Sequence, residues 1–346
     1  MDILSGVSEF FGLDIGTSSI RVVQLRGAPP VKTLDRYGSA PVAGNLAVSD
    51  AKADQQKLAQ AVVQLCKQAG ITTKNVAVGI PSARVFTTVV DMEKLSEAEL
   101  SKTIRYQADS FIPTPLAESK IDWALLGDSP KDPTKVEVLL SSVPNSYIEQ
   151  RLDVLEDVGF NVIAFEPDTF AVMRSIVAPD ATLPQMVLDV GARSTDLIIV
   201  INGAPRLTRS IPIGNEAIIR SAIAGLGVDA TQATQFVYKF GVSRDKLEGR
   251  VYNAIINTVD NLVSEVEKSI KFFQGRYPNQ KMERIIVTGG ASTLPEFPLY
   301  IANKFGINVE IGNAWRNVSF PSSRQNELLS ISNHFSVACG LAERKA

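Results

Sequence analysis

Two short segments of the sequence place an aspartate, a glycine and hydroxyl side chains in the same order. Residues 13–25 read LDIGTSSIRVVQL, and residues 188–200 read LDVGARSTDLIIV. In both, apolar residues lead into Asp-x-Gly, a small polar run with a serine follows, and a stretch rich in β-formers comes next. The segments align at one constant offset: Asp14 with Asp189, Gly16 with Gly191, and Ser19 with Ser194. Because that offset is close to half the chain, we expect a duplicated α/β domain.

Two such turns that face each other suit a nucleoside triphosphate and Mg²⁺. Glycine lets backbone N–H groups approach phosphate oxygens, hydroxyls donate further hydrogen bonds, and carboxylates hold the metal through its waters. Asp14 and Asp189 are therefore the candidate metal residues. The phosphate-binding candidates are the residues of both turns: Asp14, Gly16, Thr17, Ser18 and Ser19, then Asp189, Gly191, Ser194 and Thr195. Either turn alone would be an ordinary β-turn, since Asp and Gly are favoured there, and only the duplication favours a nucleotide site.

A third element lies further along the chain. Residues 287–292 read VTGGAS, follow an apolar strand and precede a predicted helix. Gly289 and Gly290 would let the backbone approach a base, ribose or phosphate closely, with Ser292 beside them. A plain strand-to-helix turn is the alternative interpretation.

The elements around these motifs predict two lobes and one insertion. We expect a first lobe from residues 1–83 and 144–181, an inserted subdomain from 84–143, and a second lobe from 182–332. Strand and helix periodicities alternate within each lobe, which indicates an α/β fold. The last helix, within residues 333–346, is expected to pack back onto the first lobe.

Composition excludes several classes of function. The chain has 346 residues, 45% of them hydrophobic and 21% charged, with a formal net charge of −2, so no basic surface predicts nucleic-acid binding. Its two cysteines, Cys66 and Cys339, lie in apolar helical sequence, which argues against a disulfide framework or thiolate metal cluster and fits a reducing cytosol. With His334 as the single histidine, His-based metal sites and Ser-His-Asp chemistry lack their parts.

No stretch of the sequence reaches the ~20 apolar residues of a membrane span, and the opening residues lack a basic signal-peptide start. We therefore expect folding in the cytosol. Residues 3–11 carry apolar side chains at near-helical spacing. They predict either simple packing or a short membrane-surface or partner-binding helix.

The order of the three motifs resembles the phosphate-1, phosphate-2 and adenosine motifs of the actin, Hsp70 and sugar-kinase superfamily. The resemblance implies a duplicated actin-like, RNase H-like fold that binds ATP and Mg²⁺. Glu166 lies where Hsp70 proteins have a Glu-Pro, so the resemblance also implies that it contacts the metal-bound or attacking water. Glu166 and Asp189 are the catalytic candidates. Helix capping is the alternative for Glu166. Arg21 falls where relatives usually carry a lysine that reaches the phosphates.

Two further site assignments follow from the resemblance. Glu265 and Lys268, three residues apart on a predicted long helix, would bracket the ribose and base, or form a solvated ion pair. The second turn departs from the glycine-rich form of Hsp70, because Ala192 and Arg193 follow its Asp-x-Gly. Since side chains then occupy space near the γ-phosphate, we expect slow hydrolysis at most.

Within the predicted insertion, residues 104–115 read IRYQADSFIPTP, and in the second lobe residues 211–214 read IPIG. In these phrases the chain resembles the type IV pilus assembly protein PilM family, and the insertion resembles its 1C subdomain. The resemblance at IPIG adds Gly214 to the cofactor-binding candidates. The resemblance implies an ATP-binding scaffold that captures the cytoplasmic N-terminal peptide of a PilN-like membrane protein. The predicted partner-binding residues lie in and beside the Pro-x-Pro stretch: Arg105, Asp109, Phe111, Ile112, Pro113 and Pro115. Ordinary helix termination at the prolines is the alternative.

The same resemblance implies a location and an assembly. We expect a cytoplasmic protein, peripheral at the cytoplasmic face of the inner membrane, that meets other pilus platform and motor proteins, with self-association left open. An FtsA-like protein that polymerises with ATP at a membrane is the second hypothesis. It would usually carry a C-terminal amphipathic helix, which the ending AERKA does not provide. A small-molecule kinase is the third, and no convincing catalytic base in a substrate cleft supports it.

Overall fold

The computed structural model describes residues 9–27, 31–42 and 45–345. Residues 3–8 of the segment considered above as a surface helix lie outside the described residues. In the described part of the chain the strands form sheets of six, five and three strands. Two larger sheets with helices and one small extra sheet agree with the α/β architecture expected from the sequence.

The first lobe opens with an antiparallel meander that leads into a helix and a parallel strand. Its first elements are β1 (Phe11–Ile15), β2 (Ser19–Arg26), β3 (Lys32–Pro41), α1 (Lys52–Ala69) and β4 (Asn75–Ile80). β1 pairs antiparallel with β2 and parallel with β4, and all five of its residues are buried. α1 packs Leu58, Val62 and Leu65 on this sheet and ends at Gly70, whose φ of 73° suits glycine.

The insertion is a separate antiparallel sheet with one helix. It consists of β5 (Phe86–Glu93), α2 (Glu97–Gln107), β6 (Ser119–Asp128) and β7 (Lys135–Pro144), and the sheet order is β5-β7-β6. α2 begins at Ser96, whose backbone N–H donates to Glu99 Oε2 at 3.0 Å in a capping box. Leu100 and Ile104 then pack against the sheet and give the insertion its own core.

The chain returns to the first sheet through α3 (Asn145–Asp157), β8 (Asn161–Pro167) and α4 (Asp168–Ile176). β8 pairs parallel with β4 at the edge of the sheet. Because α4 starts directly after β8, its first turn lies at the carboxyl end of the parallel strands.

The second lobe repeats the strand pattern of the first. Its elements are β9 (Gln185–Val190), β10 (Thr195–Ile201), β11 (Ala204–Ile211), α5 (Asn215–Leu226), α6 (Ala230–Phe240), α7 (Arg250–Arg276), β12 (Arg284–Thr288), α8 (Phe297–Phe305) and β13 (Asn308–Ile311). β9 pairs antiparallel with β10 and parallel with β12, as β1 does with β2 and β4. The duplicated motifs therefore occupy equivalent positions in two equivalent sheets.

The last part of the chain is β14 (Val318–Ser319), α9 (Gln325–Ile331) and α10 (Ser336–Ala342). β14 pairs with β3, so the chain is back at the first sheet by residue 318. The sequence had predicted this return only from residue 333. All seven residues of α10 are buried. Gly340 is required there, because a Cβ would overlap the backbone of Ala171 in α4.

α4 and α10 lie between the two large sheets and give both lobes a common core. The first sheet contributes Val23 and Ala77 to it, the second contributes Val187 and Ile198, and the two helices fill the space between. Burial of this apolar surface fixes the two sheets relative to each other. The carboxyl ends of β1 and β9 consequently face the same cleft.

Candidate functional site

A cleft of about 1190 Å³ opens between the lobes at the carboxyl ends of β1 and β9. In open α/β sheets this edge is where ligands bind. Most of the residues expected to bind a nucleotide line the cleft: Asp14, Gly16, Thr17, Ser18, Ser19, Arg21, Asp189, Gly191, Ser194, Gly289 and Gly290. Duplication of the fold thus brings residues from both halves of the sequence to one place.

The two Asp-x-Gly turns have nearly the same geometry. The Gly16 N–H donates to the carbonyl of Ser19 at 3.0 Å, and the Gly191 N–H donates to that of Ser194 at 2.9 Å. A Cβ at either glycine would come within 3.0 Å of that carbonyl oxygen, closer than side chains normally approach. Each turn therefore presents its two central residues to the cleft.

Asp14 and Arg21 form an ion pair at the floor of the cleft. Arg21 Nη1 lies 2.9 Å from Asp14 Oδ2, and Asp14 is 4% exposed. Burial raises the pKa of Asp14, and the neighbouring Arg21 guanidinium opposes that rise. Arg21 therefore reaches the carboxylate of the first turn across the β1–β2 hairpin, so the cation is held at the site.

Asp189 is the counterpart of Asp14 in the second lobe. Burial raises its pKa to about 7, and the nearby charges of Asp196 and Asp14 add to the rise. Gly289, with φ of 82°, packs against it, since a Cβ there would overlap Asp189 Oδ1. The loop after β12 consequently needs glycine in order to approach the carboxylate of the second turn.

Two further carboxylates line the cleft, and the sequence analysis missed both. Asp168 is the first residue of α4, and Asp196 lies on β10. Burial raises the pKa of Asp168 well above its usual range, followed by the charges of Asp14, Asp196 and Asp189. The signal for Asp168 was its position just after a strand, which ends at Pro167 in the structure, because such a residue lies at the ligand-binding edge.

The four carboxylates suit a hydrated cation. Asp168 Oδ1 and Asp196 Oδ1 are buried without a hydrogen-bond partner among the described residues, and buried anionic oxygens need compensation. In the part of the chain that the structure describes, no three Asp, Glu, His or Cys side chains converge closely enough to ligate a metal directly. Mg²⁺ usually keeps several of its waters and takes its remaining ligands from phosphates, so the arrangement fits Mg²⁺ bound with a nucleotide.

Glu166 is not among the residues that line the cleft, and its contact with the reacting water stays a prediction. Its carboxylate accepts from Arg174 Nη2 at 2.5 Å and from Arg344, and the residue is 3% exposed. Arg174 also donates to the carbonyl of Gly340 at 2.6 Å. Glu166 therefore fixes the C-terminal helix to α4, whereas Asp168, two residues later, lines the cleft.

Glu265 and Lys268 do not reach the cleft either. Lys268 Nζ lies 2.6 Å from Glu265 Oε1, and Arg209 pairs with the other carboxylate oxygen. α7 turns its apolar face to the second sheet, which leaves this pair on the outside of the lobe. The alternative interpretation, a helical ion pair, is the observed one, although Arg209 itself lines the cleft.

Three other predicted residues shape the loops without lining the cleft. Thr195 Oγ1 donates to the carbonyl of Ile213 at 2.7 Å, and Ser292 Oγ donates to that of Gly289 at 2.7 Å. Gly214 precedes α5 and leaves no room for a Cβ beside the backbone of Ala192. These residues hold the second turn and the β12 loop in place.

The end of the cleft beside the β12 loop contains residues that the sequence analysis did not find. Asn215 Nδ2 donates to Tyr238 Oη at 2.8 Å. Gly290 faces both Tyr238 and His334, from which an added Cβ would be 3.7 Å away. Burial, followed by the charge of Arg21, lowers the pKa of His334, so this wall is uncharged at neutral pH. No motif marked these residues, because they come from separate helices.

The predicted partner-binding residues divide into buried and exposed sets. Ile112 is 5% exposed, and the partly buried Phe111 packs against the core of the insertion. Arg105, Asp109, Pro113 and Pro115 are exposed. The surface around the Pro-x-Pro stretch is therefore formed by the second set, while Ile112 serves the fold.

Two lobes with duplicated sheets, a shared helical core and an acid-lined cleft define an actin-like α/β protein. Solved structures agree with this class. Ethanolamine utilization protein EutJ from Carboxydothermus hydrogenoformans has a TM-score of 0.58 at 14% identity over 96% of this chain and 88% of its own. MreB5 of Spiroplasma citri bound to ADP has 0.54 at 12% identity over 96% and 95%.

A match over nearly the whole chain identifies the family. The family described as type IV pilus assembly protein PilM matches residues 12–346, so the chain belongs to that family. A solved PilM-PilN type IV pilus biogenesis complex has a TM-score of 0.82 at 24% identity, over 97% of this chain and 98% of that chain. The resemblance inferred from the insertion is thereby confirmed. Among the described residues, no helix is both long and apolar enough to span a membrane.

Proposed function

We propose that this protein binds Mg-ATP in the cleft between its lobes and acts as a scaffold of the type IV pilus assembly platform. The observation that carries the nucleotide part is the facing pair of Asp-x-Gly turns in a cleft with four carboxylates, two of which have an oxygen without a partner among the described residues. The scaffold part is supported by membership of the PilM family. The solved MreB5 structures with ADP and AMPPNP support a nucleotide in this fold.

Each turn has a defined task in this proposal. The backbone N–H groups and hydroxyls around Thr17 and Ser18, with those of the second turn, bind phosphate oxygens. Asp14 and Asp189 hold the waters of Mg²⁺, which neutralises phosphate charge when it is bound. Gly289 and Gly290 allow the nucleoside to lie close to the backbone. The uncharged wall at Gly290 suits a base or ribose rather than a phosphate.

Asp168 replaces Glu166 as the candidate that orients the attacking water. Its carboxylate lines the cleft and its Oδ1 has no hydrogen-bond partner among the described residues. A raised pKa makes it a better proton acceptor in the range where proton transfer to a carboxylate is useful. Arg193, which pairs with Glu216 at 3.6 Å and donates to Asn45 at 2.6 Å, crowds the second turn. We infer that hydrolysis is slow.

The partner in this proposal is the cytoplasmic N-terminal peptide of a PilN-like membrane protein. The solved PilM-PilN complex supports that choice, since it has the same fold over nearly the whole chain. The peptide would bind beside the insertion, where Pro113, Pro115, Arg105 and Asp109 are exposed. Binding there would hold the protein peripherally at the cytoplasmic face of the inner membrane.

Calorimetric titration tests both parts of the proposal, the binding of Mg-ATP and the binding of the peptide. Mg-ATP is titrated into the wild type, Asp14→Ala and Asp189→Ala, with an exposed Asp180→Asn variant as control. We expect saturable binding that both alanine variants lose and the control keeps, and equal affinity in all four would refute the site. The peptide is then titrated into the Mg-ATP-loaded protein. Absence of peptide binding, together with ATP-dependent polymerisation in light scattering, would favour an FtsA-like filament protein instead.

A further inference from the structure

Arg151 is a buried cation with no acidic partner among the residues that the structure describes. It lies on α3, is 5% exposed and lines the cleft. Among the described residues no carboxylate lies within ion-pair distance of it, and the one hydrogen bond of its side chain runs from Nη2 to Tyr147 Oη at 3.4 Å. The partly buried Arg206 and Arg276 differ, since each lies within ion-pair distance of Glu137.

An isolated buried guanidinium is unfavourable. Arginine stays protonated at every accessible pH, so it cannot escape burial by losing its charge. The ring of Tyr147 lies 5.5 Å from the guanidinium carbon, and a contact of this kind offsets only part of the desolvation cost. Because the side chain borders the cleft, an anion bound there would supply the missing charge.

A second arginine lies beside the same tyrosine. The Arg84 guanidinium carbon is 5.4 Å from the centre of the Tyr147 ring, and Arg84 also lines the cleft. Its pair with Asp50 is long, at 3.4 Å, and both side chains are largely exposed. Arg84 lies where the chain enters the insertion and Arg151 on the helix that follows it, so both cations lie at the root of the insertion, beside Tyr147.

The cleft has room for a ligand at this end besides a nucleotide. Its volume of about 1190 Å³ exceeds the usual size of a small-molecule site, roughly 300–1000 Å³. Gly290 of the β12 loop and Tyr238 of α6 line the cleft from the second lobe, whereas Arg84, Tyr147 and Arg151 line it from the first lobe and the start of the insertion.

We propose that Arg151 and Arg84, bridged by Tyr147, form an oxyanion subsite at the insertion end of the cleft, and that its ligand is phosphate. Guanidinium groups match phosphate oxygens in geometry and charge. The phosphate is either the terminal group of the bound nucleotide or a free ion such as the product of hydrolysis. Neither Asp-x-Gly turn contributes to this subsite, and its first source of phosphate, the terminal group of the nucleotide, rests on the proposed function.

Inorganic phosphate is the first probe, measured by thermal unfolding against sodium chloride of equal ionic strength. The variants are Arg151→Gln, Arg84→Gln and, as matched control, Arg244→Gln, since Arg244 is exposed and lies 4.9 Å from the Tyr252 ring outside the cleft. We expect phosphate to raise the melting temperature of the wild type and the control, and not of the two cleft variants. Without phosphate, Arg151→Gln should melt at or above the wild-type temperature, because an uncompensated charge is gone.

Mg-ATP and Mg-ADP titrations distinguish the two sources of phosphate. If the terminal phosphate of the nucleotide occupies the subsite, Arg151→Gln and Arg84→Gln weaken Mg-ATP about tenfold and leave Mg-ADP unchanged. If a free ion occupies it, both nucleotides bind as in the wild type and only the response to phosphate is lost.

A structural role for Arg151 predicts a different result. Arg151→Gln would then melt below the wild type at every phosphate concentration, Arg84→Gln would keep the wild-type phosphate response, and the proposal would be overturned. An unchanged ratio of Mg-ATP to Mg-ADP affinity, with no phosphate response in the wild type, would also overturn it. Asp14→Ala separates this inference from the nucleotide proposal, since it should lose Mg-ATP yet keep the response to inorganic phosphate.

Discussion

Arg276, in the last turn of α7, donates from Nε to Glu137 Oε1 at 2.9 Å and so joins the second lobe to the inserted subdomain. Tyr277 Oη donates to the same oxygen at 2.7 Å, and Arg276 also reaches Asp91 of β5 at 2.8 Å. Arg206 approaches the other oxygen at 3.7 Å, and Glu137 is 2% exposed. The insertion is therefore joined to the first lobe by the continuous chain at both of its ends. A buried polar network joins it to the second lobe.

Glu137→Gln should destabilise the protein by about 3 kcal/mol, because removing one member of a buried ion pair leaves uncompensated charge. Arg206 would lose its carboxylate partner, and Arg276 would keep only Asp91. Urea unfolding measures the change. The matched control is Glu93→Gln on the neighbouring strand, whose pair with Lys135 at 3.7 Å is exposed and should contribute less than about 1 kcal/mol. Equal losses in the two variants would show that the network does not hold the insertion.

Asp168→Asn and Glu166→Gln should have opposite consequences. Asp168 lines the cleft, so its asparagine variant should weaken Mg-ATP binding or slow hydrolysis while the melting temperature stays the same or rises. Glu166→Gln should lower the melting temperature, because Arg174 and Arg344 lose their shared carboxylate. Its affinity for Mg-ATP should stay near that of the wild type. Calorimetry and thermal unfolding on both variants decide the matter, and a loss of nucleotide binding in Glu166→Gln alone would restore the role predicted from the sequence.

The pKa of Asp189 predicts a pH dependence. Its folded-state pKa of about 7 lies above the ordinary value of 3.8, so the folded protein keeps a proton that the unfolded chain releases. The contribution of Asp189 to the stability of the nucleotide-free protein should therefore fall as pH rises from about 4 to 7 and then level off. Mg-ATP affinity should rise over the upper part of that range, because the cation needs the ionised carboxylate.

The variant Asp189→Asn isolates this effect. Without nucleotide it should melt above the wild type at pH 8, where the wild-type carboxylate is charged and buried, and close to the wild type at pH 5. Asp180→Asn, at an exposed position, should change neither temperature. A difference between wild type and Asp189→Asn that does not vary with pH would contradict the assignment.

Local turn chemistry explains why part of the site was predictable. Asp14, Gly16, Asp189 and Gly191 were found from the sequence, since a tight turn after an apolar strand needs those residue types wherever it occurs. The duplication then predicted that both turns belong to one fold. The actin-like architecture followed from the order of the motifs, and the structural neighbours confirm it.

The missed residues depend on packing that no local pattern reveals. Whether Glu166 or Asp168 reaches the cleft is decided by where β8 ends and α4 begins, and by two arginines that hold Glu166 elsewhere. Glu265 was placed wrongly because the rotation of α7 is set by its apolar face against the sheet. Arg151 carries no motif, and only its burial without an acidic partner in the described part of the chain makes it a candidate.

Ile112 was predicted to bind the partner peptide, and its burial gives it a different role. Ile112→Ala should destabilise the protein by roughly 2–5 kcal/mol, and Ile112→Val by about 1 kcal/mol, because methyl groups are removed from a packed site. Pro113→Ala and Tyr106→Ala alter exposed residues, Tyr106 being 87% exposed, and should leave the melting temperature unchanged. Thermal unfolding is measured before any titration, and peptide affinity is compared only among variants that melt like the wild type. A normal melting temperature in Ile112→Ala, with peptide binding lost, would return Ile112 to the partner surface.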